Sequence, residues 1–342
     1  PGFGPSVFLL GGDSRLDNTD DQDASVIRHE YGHAITASLS RDSSLGGAHG
    51  LDDTVYPSLA HSEGSANFIS ALIAGVPAYV DVAAPRANPP LTFLLNLENR
   101  AFSSAAITAV RGIRSEFTVG EVLWDLTDGV ESRVDSDADS VGLTTSAFLV
   151  AYTALRGRPL YVSINDLLQS VVDTGGAGVA TIAALLVAPE NQQITFPAVA
   201  TDVFPTRLAL PTSVTDTCQT RGVNDTVNDA VDVSSRFFQF TLAAEAPVTI
   251  TMTLLAGATG TAATSTNIDL VVRNLDNTLA RATNGNTLVL QPGPQAPVET
   301  ATGTLAAGDY IVEITGRPRD DFNTFLNDDS ADVRYQLDVT SP

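Results

Sequence analysis

The run His29-Glu30-Tyr31-Gly32-His33 sets two imidazoles four residues apart, with a carboxylate beside the first. On a helix, residues i and i+4 share a face one turn apart, so both rings point the same way. That spacing suits one tetrahedral zinc ion, with Glu30 able to take a proton from a metal-bound water. Random placement of this composition yields on the order of 0.001 such runs in a chain of this length. Histidine usage agrees, because His29, His33, His49 and His61 are the whole complement of 4 in 342 residues and fall in one stretch. Such clustering points to a single metal centre rather than to scattered core histidines.

The elements around the run follow from its flanks. Val26, Ile27, Ala34 and Ile35 predict the buried side of a helix that frays near Ser38–Ser40. Ahead of it, Asp13, Asp17, Asp20, Asp21 and Asp23 form a carboxylate-dense loop, suited to capping the helix or to holding calcium. A short strand is expected at Ser6–Leu10 and a long Gly-, Ser- and Asp-rich loop at Arg41–Tyr56. A second helix is predicted over Ser58–Ala74, stopped by Gly75-Val76-Pro77, with Glu63 and, one turn later on the same face, Asn67. After a Pro-rich turn (Pro85–Pro90) the pattern is helical through Phe102–Ile113. An amphipathic stretch with Val119, Val122, Leu123 and Leu126 then follows Thr118 as N-cap. Asp135, Asp137 and Asp139 alternate in a loop that suits calcium or a solvated turn. Helices near Thr145–Leu155, Ser163–Asp173 and Ala177–Val187 complete a largely helical half.

Near Phe204 the periodicity changes to short Thr/Val/Ala-rich alternations broken by Gly, Asn and Pro. Strands are expected at Arg236–Leu242, Val248–Leu254, Ile268–Arg273, Val298–Leu305, Tyr310–Thr315 and Val333–Thr340. The chain therefore reads as an α+β multidomain protein. A mainly helical domain (1–205) is joined by a linker (206–221) to an all-β antiparallel, jelly-roll-like sandwich (222–342). Cys218 is the one cysteine, so no internal disulfide forms, and the thiol is either free in the linker or paired outside this chain.

The formal net charge of −22 excludes a phosphate backbone as partner and suits a chain that collects divalent cations. All 18 basic residues are Arg. No apolar run reaches the roughly 18 residues needed to span a bilayer. The opening Pro1-Gly2-Phe3 is not a charged-then-apolar leader, which is expected of a processed chain whose targeting signal is already gone.

The run Asp23–His33, followed by Glu63-Gly64-Ser65-Ala66-Asn67-Phe68, resembles the gluzincin metallopeptidases, thermolysin-like and especially fungalysin-like. Val119-Gly120-Glu121-Val122-Leu123-Trp124-Asp125 is similar to the Gly-Glu-Val-Trp-type helix of the fungalysin group. The resemblance covers roughly residues 5–190. It implies a zincin-type catalytic domain in which His29, His33 and Glu63 hold zinc and Glu30 is the general base. Two positions depart from the pattern. Asn67 stands where an Asp usually supports a zinc histidine. Phe117 stands where a His usually stabilises the oxyanion, which leaves Tyr56, His49 and His61 as the nearest substitutes in sequence. The family's upstream β-rich lobe is mostly missing ahead of the first helix. Phe237-Phe-Gln-Phe-Thr, Asn267-Ile-Asp-Leu-Val-Val, Thr304–Ile314 and Tyr335-Gln-Leu-Asp-Val are similar to bacterial pre-peptidase C-terminal domains, β-sandwiches appended to secreted peptidases. The expectation is a secreted, extracellular zinc endopeptidase acting on protein or peptide, with Zn2+ and additional Ca2+. The rival expectations are an extracellular structural or adhesive protein with a vestigial or structural zinc site, and a zinc-dependent binding module.

Overall fold

The computed structural model describes residues 7, 23–44, 49–51, 53–84, 91–103, 110–133, 135, 139–158, 161–187, 192–198, 204–220, 235–255, 267–274, 298–317 and 331–341. The chain divides into two units, Pro1–Arg158 with Val162–Asp202, and Pro159–Tyr161 with Val203–Pro342. It is an α+β protein. The described part of the first unit is built of α1 (Ala24–Leu39), α2 (Pro57–Ala74), β1 (Ala78–Ala84), β2 (Leu91–Asn96), α3 (Glu116–Asp125), α4 (Thr145–Ala154), α5 (Ile164–Asp173) and α6 (Val179–Leu185).

α2 is the axis of this unit, buried on nearly every side between α1 and α3. Pro57 occupies its first turn, where a missing N–H costs nothing, and Gly75 closes it at φ 72, a conformation that disfavours a Cβ. Two glycines set the helix spacing. A Cβ on Gly32 would lie 3.0 Å from Ala66 Cα, and one on Gly64 would lie 2.6 Å from the Glu116 carbonyl oxygen. Backbone therefore packs on backbone at both crossings.

The buried face of α1 differs from the expected one. It is Ser25, Val26, Gly32 and Thr36, while Ile27 is 37% exposed. The reason is the close approach: this face is small, and its polar groups are satisfied locally. Ser70 Oγ donates to the Ser25 carbonyl at 2.9 Å, and Thr36 Oγ1 lies 2.7 Å from Tyr152 Oη. α3 starts three residues earlier than its apolar pattern suggests. Ser115, not Thr118, is the N-cap, its Oγ accepting the Thr118 N–H at 3.2 Å. The helix expected over Phe102–Ile113 is not seen at its described residues. Arg100–Phe102 is a 3-10 turn, and Gly112, at φ +85, bonds its N–H to Gln192 instead of continuing a helix. The strand at Ser6–Leu10, apart from Val7, lies outside the described residues, as do Asp13, Asp17, Asp20 and Asp21. The β1–β2 hairpin flanking the Pro-rich turn was not expected; β1 is held to α1 by the Val82 N–H donating to Asp23 Oδ2 at 2.8 Å. Asp23 thus stands at the N-cap of α1 without capping it by its side chain.

The second unit contains β3 (Thr206–Arg207), β4 (Thr212–Thr220), β5 (Ser235–Leu242), β6 (Ala246–Leu254), β7 (Asn267–Asn274), β8 (Val298–Leu305), β9 (Gly308–Arg317) and β10 (Ala331–Thr340). One sheet runs β4-β10-β6-β8 and the other β3-β5-β9-β7, antiparallel throughout except for β3 beside β5. Cys218, Ile250, Met252 and Leu337 from the first sheet share one core with Phe238, Phe240, Leu270, Val312 and Ile314 from the second, which makes the pair a sandwich.

The linker expected at 206–221 is instead β3 and β4. Pro205 and Pro211 give the stretch a spacer-like look, yet both precede their strands, and Thr212–Thr220 pairs with β10 from end to end. Cys218 is accordingly a core residue. A fragment 203–342 is expected to melt cooperatively with β-type circular dichroism, whereas 222–342, stripped of β4 and its core thiol, should be markedly less stable or unfolded. Equal melts for the two fragments would mean that β4 contributes nothing to the core.

Candidate metal centre

The crossing of α1 and α2 brings three ligand-type atoms to one point. His29 Nε2 lies 3.1 Å from Glu63 Oε2, His33 Nε2 lies 3.2 Å from the same oxygen, and the two ring nitrogens are 3.2 Å apart. Zinc bonds of ~2.0–2.1 Å at a tetrahedral angle separate ligand atoms by about 3.3 Å. The triangle therefore matches one face of a zinc tetrahedron, and the residues fit the ion. The far ring nitrogens are also held. His29 Nδ1 is 2.8 Å from Asn67 Oδ1, an acceptor only, so Nδ1–H donates there, and a metal at Nε2 would replace the proton that Nε2 shares with Glu63 Oε2. His33 Nδ1 is 3.4 Å from Ser62 Oγ, which in turn donates to Asp42 Oδ1 at 3.4 Å. Tyr79 of β1 packs its ring 5.7 Å from that of His29. Glu30 is part-buried on the same turn of α1, near enough for its charge to raise the His33 pKa.

The electrostatics follow from this crowding. Burial pushes the Glu63 carboxyl up, but hydrogen bonds with His29, His33 and His49 outweigh it and hold Glu63 well below the usual range. Burial works against a charged His33, yet its hydrogen bond to Glu63 and the charges of Glu63, Glu30 and Asp42 raise its pKa overall.

Of Tyr56, His49 and His61, the three residues that the resemblance suggested, His49 is brought to the ligand atoms. Its Nε2 lies 3.6 Å from Glu63 Oε2 and 3.4 Å from Glu116 Oε2. The loop behind it is pinned by the Asp53 N–H donating to the Gly50 carbonyl at 3.1 Å and the Val55 N–H donating to the Arg114 carbonyl at 3.0 Å. His61 is a core residue instead. It is 3% exposed, neither ring nitrogen has a hydrogen-bond partner among the described residues, and burial lowers its pKa to about 4. Tyr56 is buried at the N-cap of α2. Phe117 is fully buried under the Arg100 guanidinium, 4.7 Å from ring centroid to Cζ. Arg100 also pairs with Glu121, so the Gly120–Asp125 segment serves the core.

Glu116 was not anticipated. It is 2% exposed at the first turn of α3, and burial, then the charge of Glu63, push its pKa up to about 8. Its position directly before Phe117 was the available signal. Ser62, directly before Glu63, was missed in the same way.

A separate acidic group lies beyond α3. Carboxylate oxygens of Glu98, Asp128 and Asp135 all fall within 4.8 Å of one another. Asp125 is raised well above the usual carboxylate range by burial and by the charges of Asp139, Glu121 and Asp128. Asp137 lies outside the described residues, so the expected Asp135–Asp139 loop contributes Asp135 here, with Glu98 and Asp128 as unexpected companions.

No family model matches the chain, and no curated protein matches it. Among solved structures the chain is similar to the pre-peptidase C-terminal domain of collagenase from Bacillus anthracis, at 13% identity over 39% of this chain and 92% of that one, with a TM-score of 0.25. It is also similar to PliG of Aeromonas hydrophila, a periplasmic lysozyme inhibitor of g-type lysozyme, at 11% identity over 39% of this chain and 94% of that one, with a TM-score of 0.22. Neither likeness is close enough to assign chemistry. No helix among the described residues is long and apolar enough to cross a membrane.

Proposed function

We propose that the first unit is a secreted zinc endopeptidase of gluzincin type acting on protein or peptide, and that the second is a pre-peptidase C-terminal-like sandwich appended to it. The observation that carries this reading is the 3.1, 3.2 and 3.2 Å triangle of His29, His33 and Glu63 atoms, with Asn67 fixing the His29 tautomer. Zinc held there would supply Lewis acidity and acidify a water bound to it. Glu30, one residue from His29, accepts a proton from the attacking water and delivers it to the leaving amine nitrogen. Asn67 and Ser62 orient the two imidazoles so that neither ligand has to be ordered when the ion arrives. With Phe117 buried, positive charge for the carbonyl oxygen has to come from the His49 side of the pocket. The test is cleavage of unfolded protein by the full chain carrying zinc, abolished by chelation and restored by Zn2+. Absence of cleavage by a zinc-loaded chain would favour a structural role for the ion.

The Glu98, Asp128 and Asp135 group is proposed to take calcium, an oxygen-ligand ion. Calcium at 100 times its Kd would add about 2.7 kcal/mol to stability. Millimolar calcium should therefore raise the melting temperature over chelator, and Asp128→Asn should remove the rise. A melt indifferent to calcium would leave these acids as solvated or protonated groups.

A further inference from the structure

The pocket holds more ligand atoms than one ion needs. Beside the His29, His33 and Glu63 triangle lies a second group, His49, Glu63 and Glu116, whose ligand atoms also fall within 4.8 Å of one another. The two groups share Glu63, and the same Oε2 atom faces all three histidines at 3.1, 3.2 and 3.6 Å. Glu116 closes the second group from α3, with Oε2 3.4 Å from His49 Nε2. These separations lie near the ~3.3 Å spacing of atoms bound to one ion at 2.0–2.1 Å.

The Glu116 carboxylate points to a cation independently. It is 2% exposed, and among the described residues its Oε2 accepts no hydrogen bond, with the His49 ring nitrogen at 3.4 Å. In its ionised form, a carboxylate taken out of water without a hydrogen bond is costly unless a positive charge lies against it. The Glu116 backbone is held in place, because its carbonyl is part of the surface on which Gly64 packs. One imidazole and two carboxylates suit a first-row divalent transition ion better than calcium, which prefers oxygen alone.

We infer that His49, Glu63 and Glu116 form a second divalent transition-metal site adjoining the first, with Glu63 as the shared ligand. The centre is then binuclear, an arrangement in which two ions clamp one substrate group from both sides. The inference rests on the His29, His33 and Glu63 site for its neighbour, but not on any catalysis.

The experiment counts metal in the full-length chain. Stripped protein is titrated with Co2+ and, separately, Zn2+, followed by calorimetry and the cobalt d–d absorption, and bound ion is measured after gel filtration. Wild type is expected to retain two ions per chain, and Glu116→Gln and His49→Ala one each. His29→Ala should lose the first-site ion while leaving the one that depends on Glu116. His49 sits on a part-exposed loop, so its variant remains informative if Glu116→Gln fails to fold. Retention of a single ion by wild type, unaffected by Glu116→Gln and lost in His29→Ala, overturns the second site and leaves the first standing. A single ion lost in both His29→Ala and His49→Ala also overturns it, making His49 the fourth ligand of one closed site. No retained ion at all would refute both sites together.

Discussion

Glu30→Gln is expected to lower peptide hydrolysis by about 10²–10⁴-fold while zinc content and melting temperature stay at wild-type values. The substitution keeps the size and the backbone of α1 and removes only the group proposed to accept the proton. Glu30 is not one of the three atoms of the ligand triangle, so the ion has no reason to leave. The pairing of assays gives the result its force: cleavage must fall while metal analysis does not. A variant that loses zinc as well would make Glu30 a structural residue. A variant that cleaves as well as wild type would remove it from the chemistry and shift the case toward an extracellular structural protein with a retained zinc site.

The second large effect concerns backbone spacing. Gly64→Ala places a Cβ 2.6 Å from the Glu116 carbonyl oxygen and 2.6 Å from Val119 Cβ, distances that neither backbone nor a β-branched side chain yields cheaply. Alanine gains up to about 1 kcal/mol in helix propensity over glycine, and overpacking of a tight core costs about 1–3 kcal/mol. Here the contact is with a main-chain carbonyl, so overpacking wins. A net loss of about 1–2 kcal/mol is expected in urea melts, along with weaker metal retention, because Glu63 rides on the same turn. Gly32→Ala meets Ala66 Cα at 3.0 Å and should be milder. A Gly64→Ala protein with wild-type stability would show that α2 and α3 can part without consequence.

How much of this was legible in the sequence depends on how local each feature is. His29, Glu30 and His33 are placed by helix periodicity alone, and Asn67 follows Glu63 by one turn of the next helix; that the two pairs face one another was implied by the family resemblance and not by spacing. His49 and Glu116 meet only because α2 packs on α3 through a bare glycine, and no period in the chain encodes that crossing. The six expected strands of the sandwich are present with no end moved by more than two residues, and Val298–Leu305 is matched at both ends, since inward and outward residues alternate along them. β4 escaped because its neighbours Pro205, Pro211 and Arg221 suggest a spacer, whereas its pairing with β10 is a long-range fact. The stretch Phe102–Ile113 reads as helical by propensity, but at its described ends Arg100–Phe102 is a 3-10 turn with Arg100 paired to Glu121, and Gly112 has a positive φ that no helix adopts.

The indole of Trp124 has a practical consequence. It is the one tryptophan of the chain, fully buried on α3, and its Nε1–H donates to Glu98 Oε2 at 2.7 Å. All tryptophan emission therefore arises in the helical unit, and the sandwich is silent at that wavelength. Because the acceptor oxygen belongs to the Glu98, Asp128 and Asp135 group, an ion drawing on that carboxylate changes the field at the ring and shifts its emission. Fluorescence thus follows one unit, and circular dichroism in the far ultraviolet follows both. The protein carries its own optical probe for deciding which half unfolds first and whether the acidic group is filled when it does.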